Sequence, residues 1–324
     1  MRVLLGLLLM LLVSVVWLWP RYPYLPAEPS PWQAQRLLEE PIVSGVGEEH
    51  GYININGPTV IQVPDWVVKP LGAYYLYFAH HKGSYIRLAY ADNPAGPWIV
   101  HEPGVMPLAG SGFITGLDQV QSSSQGLREL WATFALPVVR DYLLLAYRAT
   151  VSDPAQRKAR GIKAAANKAV HVASPEVVID QKNQRLVLFY HGFNSKGGQS
   201  SRVATSTDGL NFTPLEETVF STYLRAFKYE GEYFLLGMPG VLYRGDSLTG
   251  PFEPRDNILF EPDMRHAGLL VEGSTLYVFW SRVGDAPERI MLSQVDLSSP
   301  DWNQWQATTP VEILKPQLTW EGVD

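Results

Sequence analysis

The stretch Arg265–Asp296, RHAGLLVEGSTLYVFWSRVGDAPERIMLSQVD, decides the fold. An apolar strand runs into the Glu272-Gly273 turn, and a strand of large side chains, Thr275–Arg282, follows it. After a short polar loop, Ile290–Asp296 forms another strand that closes on an aspartate. Apolar runs this short, bounded by turn residues and rich in β-branched and aromatic side chains, read as strands. The same order occurs three more times. Tyr74–His81, Arg185–Gly192 and Glu232–Pro239 are the aromatic strands, and Ile86–Asp92, Arg202–Asp208 and Val241–Asp246 are their partners. Each closing Asp leads to a large aromatic: Trp98, Phe212, Phe252, and finally Trp302 and Trp305.

A recurring unit of about four strands is the pattern of a β-propeller blade. The closing aspartates Asp92, Asp208, Asp246 and Asp296 are 116, 38 and 50 positions apart, and the first interval is long enough for two units. Within it, Asp141–Asp153 (DYLLLAYRATVSD) reads as a blurred copy of the second strand. Leu127–Ala135 reads equally well as helix, and Pro154–Lys168 as a charged helical insertion. The expectation is therefore an all-β fold: a five-bladed β-propeller with one blade blurred or incomplete, after an N-terminal hydrophobic helix. Residues 33–324 would form the propeller, with an insertion around 109–170.

Arg2 precedes an apolar run from Val3 to Trp19 that only Gly6 and Ser14 interrupt. A positive start followed by such a run predicts a signal peptide or signal anchor over residues 1–20. The proline-rich residues 21–32 then read as a spacer. The protein is expected to be exported, either secreted or anchored at its N-terminus, and to meet a membrane only through that segment.

Composition excludes several classes. Lys plus Arg total 26 and Asp plus Glu 32, a formal charge of −6, so no nucleic-acid partner is expected. The absence of cysteine removes disulfides, thiolate metal sites and a cysteine nucleophile. No nucleophile elbow, phosphate-binding glycine loop or His-Glu-x-x-His helix is present.

Antiparallel connectivity puts the starts of the inner strands and the loops after the second strands on one face. That face collects His80, His81, His171, His191 and His266, five of the seven histidines. It also receives Tyr223, Arg225, Arg265, Arg282 and Arg289, with Asp285 and Glu288 in the loop SRVGDAPERI. Functional groups concentrated on one face of a repeated scaffold mark a site. The two loop acids read equally well as a network that stabilises the loop with Arg282 and Arg289. Glu176, in HVASPEVV, lies on an apolar inner strand, where a carboxyl is costly unless it is paired or used.

These residues resemble the five-bladed propeller glycosidases, the group that holds glycoside hydrolase family 43 and the invertase-like enzymes. The resemblance covers most of residues 50–305 and rests on GPTVIQVPDW, YYLYFAHH, IRLAYADNPAGPW, HVASPEVV and RHAGLLVEGSTLYVFWSR. It implies a carbohydrate substrate and hydrolysis by two carboxyl groups flanking the glycosidic bond. Glu176 would be the general acid, its pKa raised by burial, with Asp285 and Glu288 as the further catalytic acids. His80, His81, His171, His191, Arg225, Arg265, His266, Arg282 and Arg289 would bind substrate, with Tyr85 or Tyr223 stacking on sugar faces. No metal ligand set is assigned and no cofactor is required; an axial calcium near His266 is the one cofactor that the resemblance suggests. The family's base is an Asp directly before a Pro on the first inner strand, whereas this chain has Gly57-Pro58. Asp285, Glu288 or Asp118 would then serve as base, or the protein is a non-catalytic carbohydrate-binding propeller.

Overall fold

The computed structural model describes residues 26–32, 34–36, 38–43, 55–80, 83–120, 169–219, 221–261 and 263–321. A two-residue strand, β1 (Glu28–Pro29), precedes four antiparallel sheets. The first joins β2 (Ile55–Gln62), β3 (Tyr74–His80), β4 (Tyr85–Ala91) and β5 (Ile99–Pro107). The second joins β6 (Val172–Asp180), β7 (Arg185–Phe193), β8 (Gln199–Ser206) and β9 (Thr213–Val219). The third joins β10 (Thr222–Tyr229), β11 (Glu232–Met238), β12 (Val241–Gly245) and β13 (Glu253–Pro254). The fourth joins β14 (Met264–Glu272), β15 (Thr275–Arg282), β16 (Ile290–Asp296) and β17 (Val311–Leu314), and β1 extends it by pairing in parallel with β17.

Each blade runs in sequence order from an inner strand outwards, and the inner strands β2, β6, β10 and β14 meet their neighbours along one seam. The second strands are apolar throughout because both of their faces are covered. On β7, Leu186, Leu188 and Tyr190 pack into the core shared with the first blade, while Val187 and Phe189 enter the core shared with the third. On β11, Leu235 faces the second blade, and Phe234 and Leu236 face the fourth. Each such fully buried side chain contributes about 1.5–3 kcal/mol. The closing aspartates hold the turns. Asp208 accepts from the Leu210 and Asn211 amides at 2.8 Å, and Asp296 from the Ser298 amide at 2.9 Å.

Among the described residues there are four blades, one fewer than the five expected. The segment read as a fifth blade, Asp141–Asp153, lies outside the described residues, as does the hydrophobic run Val3–Trp19. Blades one and two pack directly: they share a core, Tyr77 donates to the Gly209 carbonyl at 3.0 Å, and the Val172 amide donates to Gly83. The long stretch between them in sequence therefore does not separate them in space. Among the described residues no helix is long and apolar enough to cross a membrane.

The stretch expected as a spacer includes β1. The described residues from Pro26 to Val43 tie the last blade to the first. β1 lies on β17, and Arg36 donates to both oxygens of Glu321 at 2.6 and 2.8 Å and to the Lys315 carbonyl. Trp320 donates to the Glu39 carbonyl, and Val43 packs against Leu76, Phe78 and Ala89 of the first blade. Hydrogen bonding to Arg36 lowers the Glu321 pKa from 4.5 to about 2. This contribution to stability is present above pH 4.5 and is lost as the pH falls towards 2. Deleting residues 1–43 uncovers Leu76 and Phe78 and leaves β17 as a bare edge. The deletion is expected to lower the melting temperature and to give aggregation that grows with concentration, read by thermal melts with light scattering.

Candidate functional site

The four inner strands share one irregularity. Each carries a β-bulge near its start, between Asn56 and Thr59, Ala173 and Glu176, Thr222 and Arg225, and Met264 and Ala267. A bulge sets two residues against one, bends the strand and re-aims its side chains. The first bulge residues are Gly57, Ser174, Tyr223 and Arg265, and the first three have left-handed φ angles of 60°, 49° and 55°. For an L-residue this conformation costs about 1–2 kcal/mol. None of these four first positions is acidic. An ideal Cβ built on Gly57 falls 2.8 Å from the Ser174 Cα, so the contact between β2 and β6 admits no side chain there without movement.

Around the bulges the structure brings four predicted residues into one row of rings. His171 meets His191 at 5.5 Å, His191 meets Tyr223 at 4.6 Å, and Tyr223 meets His266 at 4.5 Å. The row runs from the second blade through the third to the fourth. His191, His171 and Tyr223 are 2%, 4% and 9% exposed, whereas His266 is half-buried and presents the row to solvent. The His171 Nδ1 donates to the Ala169 carbonyl at 2.7 Å, which fixes its tautomer. Burial lowers the His171 pKa below 6.5, and the bond to Ala169 opposes this. A histidine favoured as neutral in the fold contributes stability that is full above pH 6.5 and is lost as the pH falls through its folded pKa. Urea titrations at pH 5 and pH 7.5 are expected to show this loss in the parent and a smaller one in His171→Gln.

Below the rings, Arg225 lies across the seam of all four blades. Its Nε donates to the Ala267 carbonyl of β14 at 2.8 Å, and its Nη1 to the Pro175 carbonyl of β6 at 2.8 Å. Its Nη2 reaches the Pro58 carbonyl of β2 at 3.3 Å. Glu176 is its counterion: Oε2 accepts from Arg225 Nη1 at 3.0 Å, and Oε1 accepts from the Ala226 amide at 3.2 Å. Both oxygens of the expected general acid are thus engaged.

The fourth blade gathers the remaining charges into pairs. Glu288 accepts from Arg265 at 3.2 Å and from the Ser281 hydroxyl at 2.6 Å, and its side chain is 41% exposed. Arg282 is buried against Glu261 and lies over the Trp280 ring. Asp285 lies 3.9 Å from Arg282 and 3.8 Å from Arg289, and Arg289 donates to Glu312 at 2.6 Å. Of the two loop acids, Asp285 lies between Arg282 and Arg289, whereas Glu288 pairs with Arg265 and Ser281 instead. His80 ends β3 opposite Ile55, and Tyr85 packs with Arg87 on the first blade. His81 lies outside the described residues. Sequence reading missed the bulges and the reach of Arg225. The recurrence of Gly57-Pro58 and Ser174-Pro175 at two strand starts was the available signal, because proline within a sheet is confined to bulges and edges.

No protein-family model matches the sequence. An uncharacterized protein of Acanthamoeba polyphaga mimivirus is 29% identical over 297 residues, covering 84% of this chain and 70% of the viral protein. Among solved structures, an exo-β-1,3-galactanase from Phanerochaete chrysosporium, in complex with β-1,3-galactotriose, matches with a TM-score of 0.50 and 14% identity. The match covers 82% of this chain and 52% of the galactanase, so the chain spans about half the length of that enzyme. An endo-1,4-β-xylanase from Bacteroides thetaiotaomicron matches with a TM-score of 0.48 and 14% identity, over 81% of this chain and 79% of the xylanase. At such identity the likeness to the galactanase is one of fold alone, an all-β propeller.

Proposed function

We propose that the protein is a carbohydrate-binding propeller of the glycoside hydrolase type, which holds an oligosaccharide at the rim where His266, Arg265 and Glu288 meet. The observation that carries this reading is the row of rings ending at half-buried His266. A sugar ring lays its apolar C–H face on the electron-rich face of an imidazole or phenol ring, and its hydroxyls suit charged donors and acceptors at the border. The galactotriose bound by the galactanase supports the ligand class.

Hydrolysis by paired carboxyls requires one protonated acid and one free carboxylate across the bond. Glu176 is held by Arg225 and by the Ala226 amide, one partner on each oxygen, so its contacts serve the seam between blades rather than an open pocket. A second reading, hydrolysis with Glu288 as acid and Asp285 assisting, draws on the exposure of Glu288 at the rim. Export or anchoring through residues 1–20 belongs to the same proposal, on the sequence pattern alone.

Calorimetric titration of the full chain with galactan, xylan, arabinan and fructan oligosaccharides tests the binding reading. One of these classes is expected to bind, and His266→Ala is expected to weaken it about tenfold, ~1.4 kcal/mol. Unchanged affinity in His266→Ala contradicts the assignment of the rim. Sugar release that Glu288→Gln abolishes selects the hydrolytic reading.

A further inference from the structure

We infer that the Arg225 guanidinium is the resident cation of this propeller's axis and that it takes the place of a calcium ion. The resemblance suggests calcium near His266, and the residues present do not fit it. Calcium needs six to eight oxygen ligands at 2.3–2.6 Å. Among the described residues, three main-chain oxygens from three inner strands converge on one point and are already used. The Ala267 carbonyl, next to His266, accepts from Arg225 Nε; the Pro175 carbonyl accepts from Nη1; the Pro58 carbonyl accepts from Nη2. Pro58 and Pro175 are the second residues of the first two bulges, so one repeated distortion turns both carbonyls towards the same guanidinium.

The charge is matched as well. Glu176 Oε2 lies 3.0 Å from Arg225 Nη1, and the two side chains are only 13% and 10% exposed. A divalent ion on the same oxygens would sit against a permanent positive charge, because a guanidinium does not deprotonate in a protein. Among the described residues no group of three His, Asp or Glu is placed to hold a metal elsewhere. The planar fork of five donors links four inner strands through one side chain, work that a hard cation performs with carbonyl ligands. The inference is independent of the proposed saccharide site, since it concerns what holds the blades together.

Thermal melts of the full-length protein in excess EDTA and in millimolar calcium chloride provide the test. The parent is expected to melt at the same temperature in both. Arg225→Ala is expected to melt about 5–10 °C lower, and calcium is expected to raise the melting temperature of this variant alone, because three carbonyls and the Glu176 carboxylate are left bare. Should Arg225→Ala fail to fold, Arg225→Lys, which keeps the charge with fewer donors, is expected to melt between the parent and an unfolded chain. A parent that EDTA destabilises and calcium restores overturns the inference. So does Arg225→Ala or Arg225→Lys melting with the parent, or an Arg225→Ala variant that calcium does not stabilise.

Discussion

Glu176→Gln is expected to lower the melting temperature by about 5–10 °C, corresponding to ~3 kcal/mol. Glu176 is the counterion of an arginine that is itself nearly buried, and the pair joins the second blade to the third. Breaking a buried pair by neutralising one partner leaves the other charge uncompensated, which costs about 3–5 kcal/mol. Glutamine keeps the shape and one acceptor for the Ala226 amide but loses the charge facing Arg225. A carboxyl kept for proton donation would behave differently, since burial strains its charged form and glutamine relieves that strain. A melting curve of the purified variant at pH 7 separates the two roles. A melting temperature equal to or above the parent's would contradict the counterion role.

The second large effect is expected at Gly57. Gly57→Asp installs the acid that the resembled family carries before the proline of its first inner strand, and it is expected to cost about 3 kcal/mol or more without producing a hydrolase. The φ of 60° costs an L-residue about 1–2 kcal/mol. The new Cβ would also stand 2.8 Å from the Ser174 Cα and 3.0 Å from its Oγ. Backbone gives way less readily than a side-chain tip, so the first two blades must separate or the strand must leave its bulge. Melting temperature and sugar release, measured together on Gly57→Asp, check this. A variant as stable as the parent that cleaves an oligosaccharide would contradict it.

These effects explain why parts of the molecule were legible in the sequence and others were not. The second strands could be read because each is covered on both faces and keeps a nearly unbroken apolar run, as on β7. The shared face could be read because antiparallel connectivity fixes which strand ends lie together, and His171, His191, Tyr223 and His266 do meet there. Arg225 was placed on that face as a substrate ligand, but its partners could not be read, because they lie 42, 50 and 167 residues away and only the bulged backbone brings them within reach. For Glu176 the sequence showed that a buried carboxyl needs a partner or a use, but not that the partner stands 49 residues on. The strand β1 escaped because two residues among prolines carry no period. The direct packing of the first two blades escaped because chain length between elements does not report their distance in space.

We propose that the propeller binds saccharide while Glu176 serves Arg225 rather than a leaving group. Parallel binding and turnover assays of the full-length parent and Glu176→Gln, on one panel of galactan, xylan and arabinan oligosaccharides, test it most directly. Binding without sugar release is expected of the parent, and the Glu176→Gln protein is expected to melt lower and, where folded, to retain the affinity. Release by the parent that disappears in an equally stable Glu176→Gln protein would contradict it and restore Glu176 as the acid.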